Sequence, residues 1–346
     1  MKRLTIIARM DDSGLGHQTR DLVRALDPDK VVVIDFHGYN GFKQHPEWYE
    51  GRDTRQIKGF INNDDVKTIL AETDIVLAAE TFYNNRFIDM AHEAGVITIC
   101  QINYEFFEPL TNRNLRIPER ILMPSYWHLE DLAKLANNVT YLPPPTFVQD
   151  FDEVRETNYN RTGKRRFLHI AGKVAAQDRA GTLDLIGAVS QCKSDFELVV
   201  KVQSGQIPHN VDKRITFDYS SPDDEKELYK DFDAMIHPRR YAGLNLPMNE
   251  ALSSGLPVIM TDIAPNNRVL PRGWLITSSK VGTFFARTII DVYSANRLQL
   301  ADKLDQFATI SDDELKAQKT IAHEIAIREY SPVVFKQRWE AMLKLL

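Results

Sequence analysis

The stretch from Ala234 to Met260 most constrains how this chain can fold. It contains a short apolar strand, a polar loop, a helix and a second apolar strand. Pro247 suits the first position of a helix because its φ is fixed near the helical value, and Gly255 is typical of a helix end. A loop at the carboxyl end of a strand, followed by a helix, is where open α/β sheets bind ligands. The helix dipole favours an anion there.

Apolar strands alternate with amphipathic helices along both halves of the chain. This order predicts α/β domains with parallel, doubly wound sheets. We expect two Rossmann-like domains, 1–150 and 151–330, whose strand carboxyl ends face a shared cleft. Residues 150–165 lack periodicity and are interpreted as the connection between the domains, and 284–295 as part of a helical tail.

The composition excludes few classes of function, but it indicates where in the cell the protein is located. A formal net charge of −5 gives no general attraction to nucleic acid or to a membrane surface. Cys100 and Cys192 are far apart and indicate buried free thiols in a reducing compartment. No apolar run has the length of a membrane span, and Met1–Arg9 is too short for a signal peptide. We therefore expect a cytoplasmic protein.

A glycine loop follows the first predicted strand. Gly14 and Gly16 permit close approach of the backbone to a ligand, and His17 can bind substrate there. Asp35 ends the next strand, where dinucleotide enzymes place an acid that binds the ribose. A nicotinamide-dependent oxidoreductase is therefore an alternative function, although Thr19 replaces the third glycine of that fingerprint.

Two further predicted strands in the first half end in acids. Glu80 follows one of them, with Asn84 four residues on, and Tyr104 and Glu105 follow the next. A carboxylate at such a position can orient a hydroxyl nucleophile or accept its proton. Alternatively, these acids cap the next helices or pair with neighbouring arginines.

Two cations follow the first strand of the second half. Lys173 comes directly after the apolar run, and Arg179 lies six residues further on, just before a helix. Together they would clamp a diphosphate, since Arg can bind two oxygens at once. The alternative is an ordinary solvated pair. No His, Cys or Asp spacing typical of a metal site occurs in the sequence.

Several segments carry a resemblance to a known family. They are Gly14–Gly16, Phe167–Lys173, Arg179–Ala188, Ile215–Ser221, Glu227–Pro238, Tyr241–Val258 and Tyr330–Trp339. In these segments the chain resembles retaining, family-4-like glycosyltransferases of the GT-B fold, the glycosyl transferases group 1. The resemblance implies that the second domain binds a nucleotide-sugar donor, a UDP-sugar, and that the first binds an acceptor hydroxyl. It also implies that 331–346 is a helix that crosses back to the first domain.

The resemblance implies roles for individual residues and transfer without a metal or other cofactor. Fixed cations would stabilise the charge that develops on the leaving diphosphate. The residues that match the family are Lys173 and Arg179 for the diphosphate and leaving group, and Gly16, Gly243, Leu244, Asn245, Leu246 and Glu250 for the donor, the last through its ribose. Position in the chain, and not the resemblance, makes Glu80 and Glu105 candidates for catalysis and His17, Asn84 and Tyr104 candidates for acceptor binding.

The chain departs from the family pattern at two places. Ala242 occupies the position of the first glutamate in the family's signature, and Tyr104 and Glu105 occupy a region where the family often has a histidine. The base and the sugar of the donor, the acceptor and the oligomeric state stay open. A hydroxymethylated DNA base, a virion or other protein, and a cell-surface glycan are all compatible acceptors. A catalytically weak protein that binds sugar nucleotides is a further alternative.

Overall fold

The computed structural model describes residues 2–36, 42–107, 115–174, 178–208, 211–220, 222, 224–241 and 243–346. Contacts divide the chain into two compact units. The first unit comprises Met1–Pro145, Phe285–Thr288 and Pro332–Leu346, and the second comprises Thr146–Phe284 and Ile289–Ser331. Each unit has its own parallel sheet.

Seven strands form the sheet of the first unit within the described residues. They are β1 (Leu4–Arg9), β2 (Lys30–Asp35), β3 (Thr54–Lys58), β4 (Ile75–Ala79), β5 (Ile97–Gln101), β6 (Arg120–Met123) and β7 (Val139–Tyr141). Their order is β3-β2-β1-β4-β5-β6-β7, with every pair parallel.

The described part of the second unit has a six-stranded parallel sheet and a two-stranded hairpin. The strands are β8 (Arg166–Val174), β9 (Glu197–Gly205), β10 (Ile215–Asp218), β11 (Ala234–His237), β12 (Val258–Thr261), β13 (Leu275–Ile276), β14 (Ser278–Phe285) and β15 (Ile289–Ala295). The sheet order is β10-β9-β8-β11-β12-β13, and β14 pairs with β15.

Helices connect the strands and complete both units. They are α1 (Gly14–Leu26), α2 (Asn63–Ala71), α3 (Phe87–Glu93), α4 (Leu129–Ala133), α5 (Asp152–Asn160), α6 (Thr182–Val189), α7 (Leu246–Ser253), α8 (Asn266–Val269), α9 (Arg297–Thr309), α10 (Asp312–Tyr330) and α11 (Pro332–Leu343). Several of these helices start at residues whose side chains cap the helix. In α10, for example, Ser311 and Glu314 form a capping box, which satisfies backbone donors that lack a partner inside the helix.

Burial of the central strands holds each sheet together. Ile6 and Leu77 in the first unit and Phe167 and Met235 in the second are each 0% exposed. Each such side chain contributes about 1.5–3 kcal/mol through removal of apolar surface from water. Helices cover both faces of a parallel sheet, which explains why these strands are apolar at nearly every position.

The order of each sheet reverses at one point, and this point positions the candidate site. The chain moves outward from β1 in one direction and then returns to add β4 on the other side, and β8 and β11 have the same relation. Ligands bind at the carboxyl ends of strands where such a reversal occurs. A ligand is therefore expected at the loops that follow β1, β4, β8 and β11.

The predicted fold class is confirmed, because both halves are α/β with a parallel sheet. Two local predictions are wrong. Residues 150–165 contain helix α5, and 284–295 belong to the β14–β15 hairpin. In β15 buried Ile290 and Val292 alternate with less buried neighbours, which is the period of a strand and not of a helix.

Candidate active site

Lys173 lies in a distorted part of β8. The register between β8 and β9 shifts on both sides of Gly172, whose φ is +61°. Beyond this bulge Lys173 pairs with Ser204 of β9 and is exposed. A bulge changes the direction of the following side chain, so the distortion determines where the Lys173 ammonium is presented.

The structure brings Arg179 next to the loop that follows β11. Its carbonyl oxygen accepts a hydrogen bond of 3.0 Å from the Arg240 backbone N–H. Its guanidinium carbon lies 5.5 Å from the centroid of the Tyr241 ring, within the range of a cation–π interaction. The two loops at the reversal of the second sheet are thus in direct contact.

Close packing and a carboxylate fix the turn before α6. A Cβ atom on Gly181 would lie 2.1 Å from the carbonyl oxygen of Pro238. The Asp178 carboxylate accepts hydrogen bonds from the backbone N–H groups of Thr182 (2.9 Å) and Leu183 (2.8 Å). Burial raises the pKa of Asp178, against the opposing effect of these bonds. The first donors of α6 are therefore already occupied by a protein carboxylate.

The beginning of α7 differs from that of α6. Asn245 precedes the helix and its side chain makes no capping hydrogen bond. Gly243 and Asn245 are buried, whereas Leu244 and Leu246 are half-buried. Because the first turn of a helix has backbone N–H groups without a partner inside the helix, this terminus can attract an anion. Four of the six residues predicted to bind the donor lie here.

Glu250 lies within α7 and contacts one buried tyrosine. The Tyr229 hydroxyl donates a hydrogen bond to Oε2 of Glu250. Burial, together with the charge of Glu250, raises the pKa of Tyr229 well above its ordinary value, so the phenol keeps its proton. The helix begins at Leu246, which makes Glu250 its fifth residue, just past the first turn.

Two buried histidines support the end of β11. Nδ1 of His169 donates to the Ile236 carbonyl oxygen at 2.7 Å, so Nε2 accepts from the Thr182 hydroxyl at 2.9 Å. Burial lowers the pKa of His169 to about 4. Burial also lowers the pKa of His237, and the charges of Arg239 and Arg179 lower it further. Both imidazoles are therefore neutral, and the cations Arg239 and Arg179 lie near that of His237.

The glycine loop of the first unit is closed by its own hydrogen bonds. The Asp11 carboxylate accepts from the Ser13 N–H at 3.1 Å, and the Ser13 hydroxyl accepts from the Gly16 N–H at 3.0 Å. A Cβ atom on Gly16 would lie 1.8 Å from the Asp11 carbonyl oxygen. Gly16 is therefore required for packing of the loop against α1, whatever ligand the loop meets.

The side chain of His17 belongs to a polar and aromatic cluster. Its Nε2 lies 3.4 Å from Oδ1 of Asp12, and Nε2 of His45 lies 3.2 Å from the same oxygen. The His45 ring stacks on Trp48 with 4.6 Å between centroids. Segment 43–48 thus covers this loop, which sequence reasoning did not foresee.

Glu80 and Asn84 follow β4, at the reversal of the first sheet. Glu80 has a φ of +65° and is half-buried. The Asn84 amide donates to the Ile61 carbonyl oxygen at 2.8 Å, and its oxygen accepts from the Arg86 N–H at 2.8 Å. Such bonds give Asn84 a structural role in holding the loop after β3.

Tyr104 and Glu105 follow β5 in a short 3₁₀ turn, Tyr104–Phe106. The Tyr104 ring stacks on His128 with 4.0 Å between centroids. Glu105 is only 4% exposed, and its carbonyl oxygen accepts a hydrogen bond of 2.9 Å from the Arg287 N–H. Burial makes Glu105 less accessible to an acceptor than Glu80.

Some predictions concern features that the described residues do not include. Ala242, which replaces the first signature glutamate, lies outside them.

Within 2–36, 42–107 and the other described ranges, no group of three or more His, Cys, Asp or Glu side chains could hold a metal ion. No helix in the described part of the chain is long and apolar enough to cross a membrane.

Sequence reasoning missed the residues that surround the predicted ones. Tyr241, Phe284 and Tyr229 contact Arg179, Tyr241 and Glu250 respectively. The run Arg-Arg-Tyr directly after an apolar strand was the available signal for Tyr241. Phe284 could not be found while 284–295 was interpreted as helical.

A comparison with protein families finds a match over much of the second unit. Residues 154–295 match the family described as glycosyl transferases group 1. The chain contains a group 1 glycosyltransferase domain. The predicted glycosyl transferases group 1 family is confirmed for these residues, whereas the retaining and family-4-like character stays a prediction. The matched residues include every predicted donor residue except Gly16, together with Lys173 and Arg179. No curated protein matches the chain by sequence similarity.

Solved glycosyltransferase structures resemble the whole chain in fold. HepE from Anabaena, in complex with UDP and glucose, has a TM-score of 0.66 and 10% identity, with 100% of both chains covered. The lipopolysaccharide outer core galactosyltransferase WaaB has a TM-score of 0.67 and 13% identity, with 100% of this chain and 99% of WaaB covered. Sucrose-phosphate synthase from Thermosynechococcus elongatus has a TM-score of 0.67 and 12% identity, with 100% and 99% covered. The predicted GT-B fold is confirmed.

Proposed function

We propose that this protein transfers a sugar from a UDP-sugar to an acceptor hydroxyl, with retention of configuration and without a metal. The observation that carries the proposal is the contact between Arg179 and the loop before α7, at the strand reversal of the glycosyltransferase domain. A diphosphate at this point would meet a cation and the beginning of a helix without a side-chain cap. Both stabilise negative charge.

The chemistry requires charge stabilisation on the leaving group. As the bond between the sugar and the diphosphate breaks, negative charge grows on the β-phosphate oxygen. Arg179 and Lys173 supply fixed positive charge for this oxygen, which is the general way in which preorganised donors lower a barrier. Glu250 binds the ribose hydroxyls with the carboxylate that Tyr229 orients.

The first unit supplies the acceptor site in this proposal. Glu80 contacts the acceptor hydroxyl, since it lies at the strand reversal and is half-buried. Glu105, His17 and Tyr104 are the other candidates, and Asn84 shapes the loop. Exchange of Glu80 for Gln would then lower transfer more than the same exchange at Glu105, while donor binding stays unchanged in both.

The solved structures named above support UDP as the nucleotide, since HepE was crystallised with UDP and glucose. The nicotinamide alternative gains no support, because hydrogen bonds of Asp11 and Ser13 close the glycine loop, and Asp35 accepts a bond of 2.9 Å from Gln56. A reducing, cytoplasmic location and the acceptor's identity stay predictions.

Ligand screening tests the proposal directly. UDP-glucose, UDP-galactose, UDP-N-acetylglucosamine, GDP-mannose and NAD would be compared by thermal stabilisation, since a ligand that binds the folded state raises Tm. Release of UDP, with and without EDTA, and the anomeric configuration of the product by NMR would test the reaction. Stabilisation by NAD alone would contradict the proposal, and an inverted product would contradict retention.

A further inference from the structure

Arg179 is linked to the β14–β15 hairpin through Tyr241. The guanidinium carbon of Arg179 lies over the Tyr241 ring, 5.5 Å from the ring centroid. The Tyr241 ring also packs on Phe284 of β14, with 4.9 Å between centroids and 55° between ring planes. The three side chains form a row that runs from the hairpin to the cation, here called the Arg179 row.

The backbone next to Tyr241 is held by the same hairpin. Arg240 exchanges hydrogen bonds with Tyr293 of β15: its carbonyl oxygen accepts from the Tyr293 N–H at 2.9 Å, and its Nε donates to the Tyr293 carbonyl oxygen at 2.9 Å. The Arg240 N–H donates to the Arg179 carbonyl oxygen. Both ends of the Arg179 row are therefore fixed to backbone that the hairpin restrains.

We infer that Tyr241 is a positioning residue for Arg179, and that the β14–β15 hairpin holds it in place for binding of the donor diphosphate. This inference rests on the proposed function. An arginine side chain loses rotamer entropy when it is fixed. Contact with the face of an aromatic ring restrains the guanidinium without using its N–H groups, which lie in its plane and can bind phosphate oxygens.

The inference separates two properties of Tyr241. The aromatic face is needed, whereas the hydroxyl is not. Tyr241→Phe should therefore bind UDP as the unmodified protein does, and Tyr241→Leu should bind it about tenfold more weakly, since a cation–π contact contributes on the order of 1–2 kcal/mol. Phe284→Leu should have an effect in the same direction and smaller.

The experiment is isothermal titration with UDP on the full chain and on Tyr241→Leu, Tyr241→Phe, Arg179→Ala and the Tyr241→Leu/Arg179→Ala double variant. Tyr219→Leu is the matched control, since Tyr219 is an exposed tyrosine of the same unit. Tm confirms that each variant is folded. The inference predicts that Tyr241→Leu weakens binding in the unmodified protein and has no further effect once Arg179 is absent.

Two outcomes would overturn the inference in different ways. If Arg179→Ala weakens UDP binding but Tyr241→Leu has the same effect with and without Arg179, or if Tyr241→Phe is as impaired as Tyr241→Leu, then the positioning role is wrong and the proposed function stands. If Arg179→Ala binds UDP like the unmodified protein, the proposed role of Arg179 fails, and the inference fails with it.

Discussion

The loops at the strand reversals of the two sheets use their polar groups in opposite ways. After β1 in the first unit, Asp11 and Ser13 accept the hydrogen bonds of their own loop, and Gly16 packs against the Asp11 carbonyl. After β11 in the second unit, two successive arginines lead into a helix whose cap residue Asn245 makes no side-chain capping bond. The same topology therefore gives one loop that is satisfied internally and one that is suited to an anion.

Two helix termini of the second unit also differ in this way. Helices α6 and α7 both begin at the carboxyl edge of the sheet, but Asp178 occupies the first donors of α6. A negative side chain there would repel a diphosphate that approached the α6 terminus. The two helices start at the same edge of the sheet, yet a carboxylate occupies the first donors of α6 and the side chain of Asn245 does not cap α7. The predictions below test that difference.

The largest expected effect is on turnover. Arg179→Ala should lower sugar transfer or donor hydrolysis by about 10²–10³-fold, because it removes a fixed donor from the developing charge of the leaving group. The measurement is kcat with UDP-sugar donors. Lys164→Ala is a suitable control, since Lys164 pairs with Asp195 at the surface, 2.7 Å away. Equal turnover in the Arg179→Ala and Lys164→Ala variants would contradict the conclusion that the loop after β11 is suited to an anion and the loop after β1 is not.

The next effect is on stability in the first unit. Gly16→Ala should lower the free energy of unfolding by about 3 kcal/mol, the upper range for overpacking, because the new Cβ would overlap the Asp11 carbonyl. UDP affinity at 25 °C should stay unchanged. Denaturant unfolding and calorimetry measure the two quantities. Gly14→Ala is the control, as its Cβ would meet nothing within 4 Å. Loss of UDP affinity without loss of stability would instead make this loop a donor site.

A pH effect of similar size is expected in the second unit. Burial lowers the pKa of His169 to about 4, below its ordinary value near 6.5. The unfolded chain then binds a proton that the folded chain does not, so stability is complete above pH 6.5 and falls progressively toward pH 4. The loss is on the order of 3 kcal/mol. Denaturant unfolding from pH 7 to 4 should show a shallower acid decline in His169→Gln; identical declines would contradict the neutral, buried state.

The smallest effect concerns Asp178. Asp178→Asn should lower stability by about 1 kcal/mol through weaker capping, and should strengthen UDP binding slightly, because a negative charge near Arg240 is removed. Tm and calorimetry would measure both changes. Asp195→Asn gives the same change of charge at an exposed site. Weaker UDP binding in Asp178→Asn would mean that the α6 terminus is not the unfavourable one.

Much of the fold could be predicted from the sequence because buried parallel strands are apolar at nearly every position and helices have caps. For the candidate site, chain position was enough to place Arg179 and the Gly243–Leu246 loop at the strand reversal of the second sheet, while their roles stay predictions. Contacts between distant segments were not predictable. The bond between Tyr229 and Glu250 joins residues 21 positions apart, and no local pattern encodes it. The β14–β15 hairpin was missed because an exposed ribbon lacks the continuous apolar run of a core strand.

The division of the first unit has a consequence for the design of chimaeras between relatives. This unit is not one continuous stretch, since it includes Pro332–Leu346 as well as Met1–Pro145. Helix α11 contributes buried Phe335, Trp339 and Met342. A chimaera cut at residue 145 would therefore join a new first unit to a foreign last helix. A transplant that is meant to fold must carry both chain ends together.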